Sequence, residues 1–318
     1  MHSALKACLA AAIFAIPVNA LHSNAWAGDA ASCKKVRFAD VGWTDITATT
    51  AVASALLTGL GYEPKTDVLS VPVTYASLQN KQVDVFLGNW MPTMEADIKP
   101  FLEDKSVEVI GVNLTGAKYT LAVPTYLYDA GLKSFKDIEK FKDKLGGKIY
   151  GIEAGNDGNR LILDMIKDNK FALKDFEIVE SSEQGMLAQV ERATAKNEPV
   201  LFLGWEPHPM NSKFKISYLS DGDDVFGPDF GGATVSTNVR AGLAAQCPNL
   251  GNLLKNMVFS LTMENQIMGN ILFDTMDGDT AAKGWLKANA GQIDTWLKDV
   301  TTFDGKPGAE AVKKYLGL

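Results

Sequence analysis

Residues 41–45 read VGWTD, residues 83–94 VDVFLGNWMPTM and residues 199–210 PVLFLGWEPHPM. In each, an apolar run leads through a glycine to a tryptophan: Gly42 to Trp43, Gly88 to Trp90, Gly204 to Trp205. Asp45 stands two residues beyond the first ring. Several indole faces and one carboxylate suit a quaternary ammonium. Such a cation has no N–H to donate, so hydrogen bonds cannot hold it; ring faces attract it through their quadrupoles, at roughly 0.5–2 kcal/mol per ring when desolvated. A sugar is the other guest for an aromatic cleft, but it calls for many more Asn, Asp and Arg partners. A single tryptophan is usually core; three, each beside a glycine, carry the expectation of a shared ligand. The glycines are expected to let the backbone turn sharply. Asp45 suits either the cap of the helix that follows or the ligand. Asn156, in EAGND, suits a cap, a turn or the ligand. Trp285 and Trp296, set among Leu286, Ile293 and Leu297, read as core.

The elements that must position these residues alternate. KKVRFADV reads as a strand, and Ile46 to Leu60 as a helix with Val52, Ala55, Leu56 and Leu60 on one face. DVLSVPV reads as a strand, TYASLQNK as a short helix and VDVFLG as a third strand, with a helix starting near Pro92. VEVIGVNL and YTLAVP read as two strands. A Lys-rich helix is expected over residues 134–144, then strands GKIYGIEA and FEIVESS around a helix from Asn159 to Asn169. QGMLAQVERATAK is helical, PVLFLG a strand, SDGDDVFGPDFGG a crossing segment and ATVSTNV a strand. The rest is mostly helical. This order implies an α/β protein of βαβ units and parallel sheets, run twice over about 35–110 and 117–220. The expectation is two lobes, 28–115 with 228–318 and 116–227, around a cleft at the strand ends.

Bulk properties narrow the function classes. Lys6, the apolar stretch Ala7–Val18 and Ala25-Trp26-Ala27 form a secretory signal pattern, too short to span a bilayer. The mature chain is expected from about Gly28, periplasmic and soluble. The full sequence has a formal charge of −7, or −8 without residues 1–27, whose one charged side chain is Lys6. That acidity, with no basic stripe, argues against nucleic acid and fits a cationic guest. Hydrophobic residues at 46% and charged ones at 22% exclude a disordered chain. Cys33 and Cys247 remain after cleavage. In an oxidising compartment such a pair reads as one disulfide, with two separate buried thiols as the alternative. His208 is the lone histidine after residue 27, so a histidine metal site or a Ser-His triad has little to draw on. No metal and no cofactor are expected.

VGWTDITATTAVASALLTGLGY, VPVTYASLQNKQVDVFLGNWMPTM and SSEQGMLAQVERATAKNEPVLFLGWEPHPMNSKF resemble the substrate-binding proteins of bacterial ABC importers for choline and betaines. The likeness covers nearly all of the mature chain. It implies a two-lobed periplasmic binding protein fold (type II-like), no enzymatic activity, choline as ligand and a membrane permease as partner, with monomer the default for a diffusing carrier. It also implies an aromatic box of Trp43, Trp90, Tyr119 and Trp205, with Asp45 and Asn156 at the choline hydroxyl. Tyr119, in AKYTLAVP, is legible as a ligand residue only through this likeness. A betaine would bring its own carboxylate, which Asp45 repels; Asp45 therefore tips the reading to choline over glycine betaine or proline betaine. An exported choline-ester hydrolase is the remote alternative, since Ser181, Ser182 and His208 lack a G-x-S-x-G elbow. A sensor role beside transport stays compatible with the residues.

Overall fold

The computed structural model describes residues 28–318; the expected signal segment lies outside them. Nine strands form one mixed sheet: β1 (Lys35–Asp40), β2 (Glu63–Val68), β3 (Val85–Met91), β4 (Val107–Pro124), β5 (Lys148–Tyr150), β6 (Glu177–Val179), β7 (Phe202–Glu206), β8 (Ile216–Tyr218) and β9 (Gly232–Arg240). The order is β2-β1-β3-β9-β4-β7-β5-β6, with β8 also on β4. The flanks are parallel, β1 with β2 and β3, β5 with β6 and β7. The centre is antiparallel: β9 pairs with β3 and β4, and β4 with β7. Separate parallel sheets were the expectation. One sheet results because VEVIGVNL and YTLAVP are a single 18-residue strand, whose first part lies along β9 and whose last part lies along β7 and β8. β4 and β9 thus tie the two halves together.

Helices lie between the parallel strands. α1 (Thr44–Gly59) follows β1, α2 (Val71–Gln79) follows β2 and α3 (Glu95–Glu103) follows β3. α4 (Asp157–Lys167) follows β5, and α5 (Glu183–Lys196) follows β6. The strand expected at DVLSVPV ends at Val68, and VPV opens α2 instead: Pro72 fits a first turn, where its missing N–H costs nothing. The Lys-rich helix is mostly a 3₁₀ stretch, Phe135–Phe141.

α1 shows why one-face reasoning falls short. Ile46, Ala48, Val52, Ala53, Ala55, Leu56 and Leu57 are all buried, covering more than one side of the helix. The sheet takes one side, and Leu261–Leu272, Gly278–Ala288 and Gly308–Leu316 pack on others. Trp296 is buried among these C-terminal helices, and Trp285 packs against it, as expected of core residues. Cys33 and Cys247 are joined by a disulfide. Beside it, the Asp29 carboxylate accepts from the N–H groups of Asn249 and Leu250, each at 2.9 Å, fixing the start of the described chain to helix Pro248–Asn256. No helix of the described residues is long and apolar enough to cross a membrane.

Candidate functional site

The first ring enters through a turn. Gly42 has φ +83°, a left-handed value that costs glycine nothing. Its N–H donates to Asp40 Oδ1 at 2.7 Å, while Asp40 Oδ2 accepts from the Thr47 hydroxyl at 2.6 Å. Trp43 then occupies the N-cap position of α1. The other two glycines do not turn the chain, contrary to expectation: both lie within strands. A Cβ at Gly88 would meet Ile46 Cδ1 at 2.7 Å, and one at Gly204 would meet Ala122 Cβ at 2.9 Å. These two glycines admit close neighbours.

Trp90 projects from β3, and Tyr119 on β4 stands directly opposite Trp205 on β7. Trp90 and Tyr119 are 6.0 Å apart between ring centroids, tilted by 59°; Tyr119 and Trp205 are 6.2 Å apart at 84°. With Trp43, Asp45 and Ile152 these residues line one small space. All four rings are 5% exposed or less. Ile152 escaped the sequence reading, because an apolar residue just after a strand looks like core.

Asp45 does not cap α1. It is the second helical residue, behind Trp43 at the N-cap, and it faces the rings. Trp90 Nε1 donates to Asp45 Oδ2 at 3.1 Å, and Oδ1 has no partner. Burial, reinforced by the negative charge of Glu183, pushes its carboxyl up to about 8. Glu153 accepts from Trp43 Nε1 at 2.8 Å, and burial raises it to about 7. Asp157, whose two oxygens are also without partners, is raised by burial to about 6. The Tyr119 hydroxyl is unpartnered as well. No lysine or arginine lines the space. The site is an aromatic shell with acid in its wall and no cationic side chain in its lining.

Asn156 lies elsewhere. Its Oδ1 accepts from the Asn159 N–H at 2.8 Å, as the N-cap of α4, and its Nδ2 donates to the Glu153 carbonyl. It is buried but does not line the space. Among the residues weighed for hydrolysis, Ser182 Oγ accepts from the Gly185 N–H, Ser181 Oγ donates to the Ser182 carbonyl, and His208 Nε2 meets Glu183.

Taking this arrangement as the closed form of a hinged cleft, closing it empty is expected to draw protons in. In an open, hydrated cleft Asp45 titrates near the usual carboxylate value of about 4. The closed form, with Asp45 at about 8, holds more protons between those values. Its advantage is complete below the lower value and lost as pH rises through the upper one. The ligand-free closed population is therefore expected to grow from about pH 8 to about pH 5, and the radius of gyration from small-angle scattering should shrink. A radius constant over that range would show closure uncoupled from protonation.

Comparison with known proteins identifies the family and the fold. The model of the substrate-binding domain of ABC-type glycine betaine transport systems (OpuAC) matches residues 34–288. An ABC-transporter choline-binding protein solved with choline is 64% identical, with a TM-score of 0.89 over 90% of this chain and 99% of the other. The same kind of protein in an unliganded, semi-closed conformation, also 64% identical, gives 0.83 over 90% and 100%. Lactococcal OpuAC, closed on glycine betaine, is 26% identical with a TM-score of 0.76 over 83% and 100%. The fold is that of the two-lobed periplasmic substrate-binding proteins. An aromatic, acid-walled space between the halves of a shared sheet, and a family match over most of its length, place this chain in the OpuAC family of ABC-transporter substrate-binding domains.

Proposed function

We propose that this protein captures choline between its lobes and hands it to the permease of an ABC importer, as an exported, monomeric carrier with no catalytic role. The observation that carries the reading is the unpartnered Asp45 Oδ1 in a wall of four rings. Trp43, Trp90, Tyr119 and Trp205 surround the trimethylammonium group, and Asp45 supplies the counter-charge and accepts from the choline hydroxyl. Asn156 does not line the space; its two bonds at the start of α4 give it a supporting role, holding the backbone of Glu153. The lobes are 28–115 with 228–318, and 116–227, crossing where β4 changes partner and just before β9. The 64% identical protein solved with choline supports the ligand.

Glycine betaine is the second reading, favoured by the family description and by lactococcal OpuAC. Its carboxylate would need donors, whereas the lining offers Asp45. Isothermal titration calorimetry of the mature protein against both compounds, with tryptophan emission followed in parallel, decides. Choline is expected to bind at least about tenfold more tightly, a difference of about 1.4 kcal/mol, and to shift the emission. Equal or tighter betaine binding would transfer the assignment to betaine.

A further inference from the structure

Glu183, the first residue of α5, is 1% exposed and bonded on three sides. Its Oε2 accepts from the Thr44 N–H at 2.8 Å and its Oε1 from the Thr44 hydroxyl at 2.5 Å. Oε1 also lies 3.1 Å from His208 Nε2. The Met210 N–H donates to His208 Nδ1 at 2.9 Å, so Nδ1 carries no proton and Nε2–H points at Glu183. Thr44 belongs to the first lobe; Glu183 and His208 belong to the second.

We propose that Glu183 is a positioning residue: a latch that seizes Thr44 when the lobes close and so sets the dwell time of the ligand without touching it. Three features carry this. Thr44 lies between Trp43 and Asp45, so holding both its N–H and its hydroxyl fixes the backbone from which a box ring and the ligand carboxylate project. His208, on the other side of the latch, packs edge-on against Trp205 at 4.9 Å, tying a third cleft residue to the same contact. The Thr44 N–H is one of the first-turn donors that α1 leaves unsatisfied, and a carboxylate there meets the positive end of the helix. Opening the cleft breaks both bonds to Thr44 and leaves Glu183 with His208, a holder already in place for the next closure.

The inference rests on choline as the ligand, but its test has a readout independent of it. Glu183→Gln keeps the shape and removes the charge; Thr44→Val removes one bond from the opposite lobe and guards against a fold defect in the first variant. Stopped-flow fluorescence of each variant and of the double variant with choline should show dissociation about 10- to 100-fold faster, as expected for charge-assisted hydrogen bonds, with association nearly unchanged. The double variant should lose clearly less than the product of the single losses. Fluorescent labels on the two lobes should report a wider ligand-free separation in each variant than in wild type. Wild-type dissociation rates, or fully multiplicative losses, would overturn the latch. If the wild-type protein ignores choline, the ligand assignment falls, and the ligand-free separations decide: no widening in either variant overturns the latch.

Discussion

Replacing Asp45 by Asn is expected to weaken choline binding by about 2–4 kcal/mol, roughly 30- to 1,000-fold, and to leave glycine betaine binding equal or improved. The isosteric change isolates charge. The amide oxygen can still accept from Trp90 Nε1, now 3.1 Å from Oδ2, so the ring stays in place. What disappears is the anion opposite the cation, in a space with no other cationic or anionic lining residue. In the ligand-free closed cleft Asp45 holds a proton up to about pH 8. A quaternary ammonium beside it reverses that balance and returns the carboxyl to its ionised form. The bound ligand is thus the counter-charge that closure otherwise draws from solvent as protons. Asn supplies an N–H where the carboxylate of a betaine would lie, so the preference should move towards betaine. Calorimetry with both compounds measures it, and a D45N protein that holds choline at wild-type affinity would remove Asp45 from the ligand.

Trp90→Ala should have the other large effect, about 3–4 kcal/mol on choline affinity. Three losses combine. A ring face leaves the cation, at roughly 0.5–2 kcal/mol. The hydrogen bond that orients Asp45 goes, at about 1.5–3 kcal/mol for a charged acceptor, and Tyr119 loses the ring packed against it at 6.0 Å. Contributions of touching groups do not add fully, so the total stays below their sum. Trp90→Phe keeps a face and loses the N–H, and should fall between wild type and Trp90→Ala. Trp205→Ala, which removes a ring with no bond to Asp45, should cost about 1–3 kcal/mol. Titration of the three variants tests the ranking. If Trp90→Phe matches wild type, the hydrogen bond to Asp45 does not contribute; if Trp205→Ala matches it, the box has no fourth wall.

Much of this site is written in local chemistry. Trp43, Trp90 and Trp205 could be singled out because indoles beside glycines at the ends of apolar runs are unusual, and because Asp45 is close in sequence to the first. The alternation of apolar runs and helical stretches placed most elements, and two cysteines in a chain read as exported implied their pairing. These features depend on residue type and short-range spacing, which a linear reading captures.

Other features depend on what lies across the fold. Asp45 as cap or ligand was undecidable from VGWTD, because both roles need an acid near a helix start; in the structure Trp43 holds the cap position and the Asp45 carboxylate faces the rings. Asn156 looked equivalent by position, yet its amide is engaged at the start of α4. Gly88 and Gly204 resembled hinges and are packing sites for Ile46 and Ala122, partners 42 and 82 residues away in the chain. Tyr119 and Ile152 are ordinary strand and strand-end residues until β7 and α1 bring the other rings to them. The Thr44–Glu183–His208 contact joins residues 139 and 25 positions apart. The sequence alone determined which side chains could hold a cation, because that is a property of each group. Only the tertiary structure decided which of them share one buried space, because burial and unpartnered atoms arise from neighbours that the chain brings together only on folding.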